Sequence, residues 1–159
     1  MTVVAIGADH AGFLLKERVK AWLTGRGVRV LDVGTHGTDS VDYPDFAAAV
    51  GRAVASGEAR WGVLVCGTGI GMAIAANKVA GVRAAQCSDV ESAAISRQHN
   101  DTNVVTLGAR TTSPELAFTI VESWLGAAFE GGRHARRVEK LARLDHRETP
   151  EVTTHAETR

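Results

Sequence analysis

Short apolar runs alternate with amphipathic stretches along most of this chain. Five runs rich in β-branched residues predict strands at positions 3–6, 28–33, 62–65, 82–87 and 104–107. Helical spacing of apolar residues predicts five helices near positions 13–24, 44–55, 69–77, 90–98 and 114–125. Strands that are apolar at consecutive positions are typical of a parallel sheet, because helices cover both of its faces.

The strict alternation of strand and helix predicts the fold class. We expect a doubly wound α/β protein with a five-stranded parallel sheet, a Rossmann-like three-layer sandwich with right-handed crossovers. A sixth helix, from Arg133 to about His146, follows Gly131-Gly132 and has no strand to pack beside. Such an appended helix often docks on a partner subunit. We expect residues 1–148 to form one domain and the polar, aperiodic residues 149–159 to form a disordered tail.

Two predicted helices have recognisable starts. Ser88-Asp89-Val90-Glu91 has the spacing of a capping box, which predicts Ser88 as the N-cap. Ser113 precedes Pro114, which is favoured at the first helical position, and Ser113 is therefore predicted to cap the next helix.

Composition narrows the function classes. The chain has 18 basic and 18 acidic residues, so its net charge does not favour nucleic acid or a membrane surface as a partner. It has no apolar run long enough to span a membrane and no N-terminal signal pattern. Two cysteines do not make a disulfide framework. These features predict a reduced, cytoplasmic protein.

The most informative motif is Cys66-Gly67-Thr68-Gly69-Ile70-Gly71, which follows the third predicted strand. Its glycines allow a tight turn with exposed N–H groups, and the helix that begins there directs its dipole at the turn. The motif lacks the Gly-Lys-Ser/Thr of a nucleotide-binding loop. It predicts an anion cradle beside an activated thiolate. Alternatively, Cys66 is a small buried residue at a strand end, as we expect Cys87 to be.

Ligands of open parallel sheets bind beyond the carboxyl ends of the strands. We therefore look for further site residues just after the predicted strands. The chain places a carboxylate, an imidazole, a phenol, a hydroxyl and a guanidinium at that edge, from Asp9, His10, Tyr43, Thr68 and Arg110. Each has a structural alternative. Asp9 and Thr68 would also serve as helix caps, His10 as a surface residue and Tyr43 as a packed ring with a wet hydroxyl.

Two polar clusters lie elsewhere in the chain. Residues 97–103, Arg-Gln-His-Asn-Asp-Thr-Asn, stand between a predicted helix and a strand, and they suit either a helix C-cap or a site containing His99 and Asn100. Arg133 and Arg137 are four positions apart on the last helix and therefore share a face. They predict either a phosphate or carboxylate site or a solvated basic surface.

Six separated motifs, in order, resemble the type B ribose-5-phosphate isomerases, within the wider family that includes galactose-6-phosphate and allose-6-phosphate isomerases. They are Gly7-Ala-Asp9-His10-Ala-Gly12, Asp42-Tyr43-Pro44, Cys66-Gly-Thr68-Gly-Ile-Gly71, Ala75-Ala-Asn77-Lys78, Arg97-Gln-His99-Asn100-Asp101-Thr-Asn103 and Gly131-Gly-Arg133-His-Ala-Arg136-Arg137. The resemblance runs from about Val3 to Leu144.

The resemblance implies an aldose–ketose isomerase that uses no metal or other cofactor and interconverts ribose 5-phosphate and ribulose 5-phosphate through a cis-enediolate. Cys66 matches the base that moves a proton between C1 and C2. Some relatives use a glutamate later in the turn, where this chain has the apolar Ile70 and Gly71. Thr68 and the N–H groups of the turn, from Gly67, Gly69, Ile70 and Gly71, would stabilise the enediolate oxygen.

The resemblance also implies roles for the other candidates. His99, with Asp9 as counterpart, would open the furanose ring by acid–base catalysis. The phosphate clamp would comprise His10, Arg133 and Arg137, with Arg110 near the same end. Tyr43 and Asn100 match contacts to the sugar hydroxyls.

Topology predicts a shared active site. Cys66 ends a strand, whereas His99 ends a helix and precedes a strand, so the two lie at opposite sheet edges, roughly 15–20 Å apart. If both touch one phosphosugar, the chain must form a homodimer with shared sites, possibly paired into a tetramer. The alternatives are an isomerase of a six-carbon phosphosugar and a non-catalytic phosphosugar-binding module.

Overall fold

A computed structural model describes residues 1–145 of the chain. The five strands are β1 (Val3–Ala8), β2 (Arg29–Asp32), β3 (Trp61–Cys66), β4 (Ala84–Gln86) and β5 (Val104–Gly108). The six helices are α1 (Phe13–Gly25), α2 (Tyr43–Ala55), α3 (Ile70–Ala76), α4 (Val90–Asn100), α5 (Pro114–Gly126) and α6 (Arg133–Leu144). The predicted tail, residues 149–159, lies outside the described residues.

The strands form one parallel sheet in the order β2-β1-β3-β5-β4. This arrangement confirms the predicted five-stranded α/β fold. β3 lies at the centre, where Gly62 is level with Val104 and Cys66 is level with Gly108. The carboxyl end of β3 therefore meets the carboxyl end of β5, which is the edge where the candidate thiol was expected.

Successive residues of the central strand supply two separate cores. Val63 and Val65 pack on one face with a cluster that includes Trp124 of α5. Leu64 and Cys66 pack on the other face with Met72 of α3 and residues of α2. This alternation explains the continuous apolar run of β3, because a helical layer covers each face.

Two local predictions need correction. The N-cap of α4 is Asp89, whose carboxylate accepts from the N–H of Ser92 at 2.7 Å, so the prediction that Ser88 caps this helix was wrong. Ser88 instead accepts from the Gln86 side chain at 3.1 Å. β4 is also shorter than the predicted span of 82–87, because Val82 closes a turn by donating to the carbonyl of Val79.

Other features follow the sequence. Ser113 caps α5 as predicted and accepts from the N–H of Leu116 at 3.2 Å. The appended helix α6 begins after Gly131 and Gly132, which adopt φ values of 66° and 56° that favour glycine. None of the helices within residues 1–145 combines the length and apolar character that a membrane crossing requires.

Candidate active site

Cys66 lies at the carboxyl end of β3, where its side chain is buried and its thiol meets the turn that follows. The backbone N–H of Gly69 donates to its Sγ at 3.2 Å. The contact fixes the sulfur against the turn that follows the strand. By contrast, Cys87 is buried in one of the cores, and desolvation raises the pKa of its thiol to about 11.

Gly69 makes this contact possible through its backbone conformation. Its φ is 78°, and a Cβ there would lie 2.9 Å from the carbonyl carbon of Leu107. The Thr106 hydroxyl fixes the same residue by donating to the Gly69 carbonyl at 2.7 Å. The turn is therefore held in one shape from the neighbouring strand β5.

Thr68 and Ile70 are exposed at the mouth of this turn. The Thr68 hydroxyl accepts from the N–H of Ile70 at 3.3 Å, and the Thr68 carbonyl accepts from the Gln86 side chain at the same distance. The N-cap of α3 is Gly69 rather than Thr68. Thr68 thus binds a turn amide while its side chain stays exposed at the mouth of the turn.

Arg110 and Tyr43 flank the turn on either side. A Cβ on Gly67 would lie 3.0 Å from Nη1 of Arg110, and a Cβ on Gly71 would lie 2.7 Å from the ring of Tyr43. The guanidinium and the phenol therefore rest directly on glycines of the motif. Both side chains are exposed, so a ligand at the turn would meet them.

Asp9 and His10 follow β1 at the same edge. The buried Asp9 carboxylate accepts from the N–H of Gly12 at 3.0 Å, in the turn that precedes α1. Gly12 rather than Asp9 is the N-cap of α1, so the interpretation of Asp9 as a helix cap was wrong. The Asp9 N–H donates to the carbonyl of Val65, next to Cys66. His10 accepts from the N–H of Val41 through Nδ1 at 3.2 Å, which leaves Nε2 as the protonated nitrogen of its neutral ring.

Sequence reasoning missed a buried ion pair that supports this edge. The fully buried Lys16 donates to Asp32 at 2.8 Å, and Asp32 accepts from the N–H of Gly34 at 2.9 Å. The Gly34 carbonyl in turn accepts from the N–H of Ala8, beside Asp9. The available signal was a lysine on the apolar face of a predicted helix, followed by an aspartate at a strand end.

The pKa of Asp32 is lowered by the groups that donate hydrogen bonds to its carboxylate. Burial alone would raise it, but hydrogen bonds from Lys16, Lys20 and the N–H of Gly34 outweigh burial and lower this pKa to about 2. The carboxylate is therefore ionised at neutral pH, and it holds the Gly34 loop through the hydrogen bond from the Gly34 N–H.

His99 lies at the end of α4 and packs against the segment that begins α6. Its ring stacks on that of His134 with the centroids 4.2 Å apart, and its Nε2 lies 3.5 Å from Oε1 of Glu130. The N–H of Glu130 donates to the carbonyl of Gln98 at 3.0 Å, which joins the two segments. Burial, followed by the nearby His99 and Arg133, lowers the pKa of His134.

Most of the cluster from 97 to 103 stabilises the end of α4, as the C-cap interpretation predicts. Asp101 adopts a left-handed φ of 46° as the C-cap, and Arg97 donates to its carboxylate and to the Thr102 carbonyl at 2.9 and 2.6 Å. The Arg97 guanidinium also lies over the ring of Trp61. Asn103 bonds the backbone of Arg83. The remaining side chain of interest, Asn100, is exposed beside His99.

The fold thus divides the predicted site residues into two groups. The turn group, at the carboxyl edge, consists of Asp9, His10, Tyr43, Cys66, Gly67, Thr68, Gly69, Ile70, Gly71 and Arg110. The histidine group, which precedes β5 or opens α6, consists of His99, Asn100, Arg133 and Arg137. β5 runs between the two edges over a rise of about 13 Å. The described chain does not bring His99 to Cys66 within one subunit.

The chain is similar to known proteins in both sequence and fold. The sequence model of the Ribose/Galactose Isomerase family matches residues 4–141. Ribose-5-phosphate isomerase B of Escherichia coli is 52% identical over 147 residues, which are 92% of this chain and 99% of that protein. Ribose-5-phosphate isomerase B of Clostridium thermocellum is 50% identical, with a TM-score of 0.90 over 91% of this chain and 97% of its own.

A third similar protein has been solved with a ligand bound. The structure of ribose-5-phosphate isomerase B from Mycoplasma genitalium, solved with bound ribulose 5-phosphate, is 38% identical to this chain. Its TM-score is 0.88, with 92% of this chain and 98% of that chain covered. The folds therefore correspond over nearly the whole length of both proteins.

Proposed function

Because this chain belongs to the Ribose/Galactose Isomerase family, we propose that it interconverts ribose 5-phosphate and ribulose 5-phosphate. The relative from M. genitalium, which covers nearly all of this chain, holds ribulose 5-phosphate. The observation that carries the proposal is the buried thiol of Cys66, which accepts a hydrogen bond from a glycine turn open to solvent. A binding module would need no such thiol.

The reaction moves one proton and shifts one carbonyl. The Cys66 thiolate removes the proton from C2 of the open-chain aldose, which gives a cis-enediolate, and then returns it to C1. A proton passes between the two sugar oxygens, so the carbonyl ends at C2. Turn amides and the Thr68 hydroxyl stabilise the negative oxygen of the intermediate. In this scheme the chain's own groups supply every proton transfer, and we propose no metal or other cofactor.

Ring opening and phosphate binding require the histidine group. His99 acts as the acid–base catalyst that opens the furanose, with Asp9 as its counterpart across the substrate. Arg133 and Arg137 bind the phosphate together with His10, and Arg110 lies at the same end. Tyr43 and Asn100 bind sugar hydroxyls.

These roles require two subunits. A pentose phosphate cannot span the sheet from Cys66 to His99, so His99 and the arginines of each site come from a neighbouring copy. A two-fold homodimer provides two equal sites in this way, and pairing of dimers into a tetramer is compatible with it. The two free thiols of the chain support a cytoplasmic location for this enzyme.

Complementation between inactive variants tests the shared site. Cys66→Ala and His99→Ala chains, unfolded and refolded together, form mixed dimers with one doubly damaged site and one intact site. Random pairing restores about a quarter of wild-type isomerisation of ribose 5-phosphate, since half of the dimers are mixed and half of their sites are intact. Each variant refolded alone is the control. No recovery despite demonstrated subunit exchange would place both residues in one chain.

Substrate length is tested in parallel. The pentose phosphate and the six-carbon allose 6-phosphate and galactose 6-phosphate are compared by kcat/KM on the same preparation. The proposal predicts the highest value for ribose 5-phosphate. A higher value for either hexose phosphate would replace the pentose assignment while leaving the chemistry of Cys66 unchanged.

A further inference from the structure

One cluster of ligating side chains joins His99, which the proposed mechanism uses, to two residues that it does not use, Glu130 and His134. His99, Glu130 and His134 each offer a ligand atom, and these atoms all lie within 4.8 Å of one another. Oε1 of Glu130 is 3.5 Å from Nε2 of His99 and 4.0 Å from Nε2 of His134. One carboxylate oxygen thus faces two imidazole nitrogens.

We propose that His99, Glu130 and His134 of one subunit bind a divalent transition-metal ion such as Zn²⁺, and that the bound ion inhibits the enzyme by occupying His99. The metal site rests on the geometry of the cluster alone. The inhibition rests on the proposed function, because it requires His99 to act on the sugar.

The donor set selects the class of ion. Two imidazoles and one carboxylate suit zinc and its neighbours, whereas calcium and magnesium prefer oxygen ligands. The same set, with a fourth position left to water, occurs in zinc enzymes. Zinc bonds of about 2.1 Å in a tetrahedron place ligand atoms about 3.4 Å apart. This is close to the 3.5 Å between Glu130 and His99 and shorter than the 4.0 Å between Glu130 and His134, so the ligands must draw together around an ion.

The backbone holds the ligands before any ion arrives. Glu130 is fixed to the end of α4 by the hydrogen bond from its N–H to the Gln98 carbonyl at 3.0 Å. The N–H of His134 donates to the Gly131 carbonyl at 3.0 Å, within the same loop. The two rings are stacked within 10° of parallel, and the lone pair of an imidazole lies in the plane of its ring, so one ring must rotate well out of the stack before both lone pairs can aim at one ion. We expect the partly exposed His99 to make this rotation when the ion binds.

Two features set the expected strength and consequence of binding. Arg133 and Arg137 on the same helix oppose a bound cation, so we expect affinity below that of a structural zinc site. His99 and Glu130 are both partly exposed, at 38% and 51% of their side chains, which leaves a path for the ion. An ion on Nε2 of His99 removes the lone pair with which this residue would accept a proton.

A thiol is the competing ligand, because zinc also binds cysteine. The binding experiment therefore uses the full chain with Cys66→Ala, freed of metal, and titrates it with Zn²⁺ by calorimetry and with Co²⁺ by visible absorption. His134→Gln and Glu130→Gln in that background should each weaken binding by at least about tenfold. Glu139→Gln on α6 and His36→Gln, an exposed histidine elsewhere, are the matched controls and should leave binding unchanged.

The outcomes separate the possible sites. Binding that disappears with Cys66→Ala assigns the ion to the thiol and overturns the proposal. Binding that survives His134→Gln and Glu130→Gln unchanged also overturns it. Tetrahedral Co²⁺ bands that are lost in both ligand variants, but retained in both controls, support it.

Activity then tests the consequence. In chains that keep Cys66, Zn²⁺ should lower the isomerisation rate and EDTA should restore it, with each variant compared with its own metal-free rate. The concentration giving half inhibition should rise at least about tenfold in His134→Gln. Unchanged inhibition in that variant would contradict the role of the cluster. A chain that binds zinc here but never isomerises ribose 5-phosphate would refute the proposed function and leave the metal site standing.

Discussion

The N–H of Gly69 points at the sulfur of Cys66 from three residues along the chain, with 3.2 Å between the two atoms. The contact joins the last residue of the central strand to the N-cap of α3. The turn therefore places a backbone donor directly against the sulfur at the mouth of the glycine motif.

Replacing this sulfur tests its role as the base. Cys66→Ala should lower kcat for ribose 5-phosphate isomerisation at least about 100-fold, because a positioned base contributes about 10²–10⁴-fold. Cys87→Ala is the matched control, since it removes the other buried thiol, and it should keep kcat near that of the parent. Circular dichroism checks that both variants fold. Residual activity of Cys66→Ala within tenfold of the parent would be incompatible with proton transfer by this residue.

Two adjacent arginines of α6, Arg136 and Arg137, test whether this helix binds the phosphate. Arg137→Ala should mainly raise KM for ribose 5-phosphate, because the phosphate is remote from the reacting carbons, with a smaller loss of kcat if the phosphate also orients the sugar. Arg136→Ala removes the same charge from the next position, which faces another direction on the helix, and should leave KM nearly unchanged. Equal KM values for both variants would remove Arg137 from the site.

Substitution of Gly12, the N-cap of α1, and of Gly25, its last residue, should affect stability differently. A Cβ on Gly12 would lie 2.3 Å from the backbone oxygen of Val65, whereas a Cβ on Gly25 would meet nothing within 4 Å. Gly12→Ala should therefore lower the free energy of unfolding by at least about 1–3 kcal/mol and displace the residue before Cys66. Gly25→Ala should be neutral or slightly stabilising. Thermal unfolding compares them, and equal Tm values would contradict this packing.

Asp32 predicts a dependence of stability on pH. Its pKa is lowered to about 2 in the folded protein from an ordinary 3.8, so its contribution is complete above pH 3.8 and is lost as pH falls through about 2. The shift corresponds to about 2 kcal/mol. The free energy of unfolding of the parent should fall between about pH 4 and 2, and the fall should be shallower in Asp32→Asn.

The same substitution leaves Lys16 buried without its main partner. Asp32→Asn should cost roughly 3–5 kcal/mol at neutral pH, towards the lower figure because Glu17 remains 3.0 Å from the ammonium. Asp39→Asn, at an exposed aspartate in the next loop, should change little. Denaturant unfolding measures both, and an equal effect of the two variants would show that the ion pair does not stabilise the fold.

The sequence predicts the features that depend on local pattern. Apolar runs identify all five strands, and the glycines after Cys66 identify the turn because few other residues allow its backbone. The residues at which helices and strands begin and end are predicted less accurately. Ser88 and Asp89 are both good N-caps at neighbouring positions, and residue spacing alone does not distinguish them, whereas the structure assigns the cap to Asp89.

Contacts between distant segments were beyond prediction from one sequence. The burial of Lys16 was not predicted, because most lysines are exposed and its partner Asp32 lies on another element. Glu130 stands 31 positions after His99, and only the packing of α6 on α4 brings the two together. The division of the site between two sheet edges could be predicted, because it follows from the direction of parallel strands.

Under the proposed shared site, that division would make catalytic output sensitive to protein concentration. If each site needs two copies, a solution diluted below the dissociation constant of the dimer holds folded chains with no complete site, and activity per milligram falls. A phosphosugar that contacts both copies would then favour their association, as any ligand favours the state that binds it. The substrate would act as an assembly factor for its own enzyme.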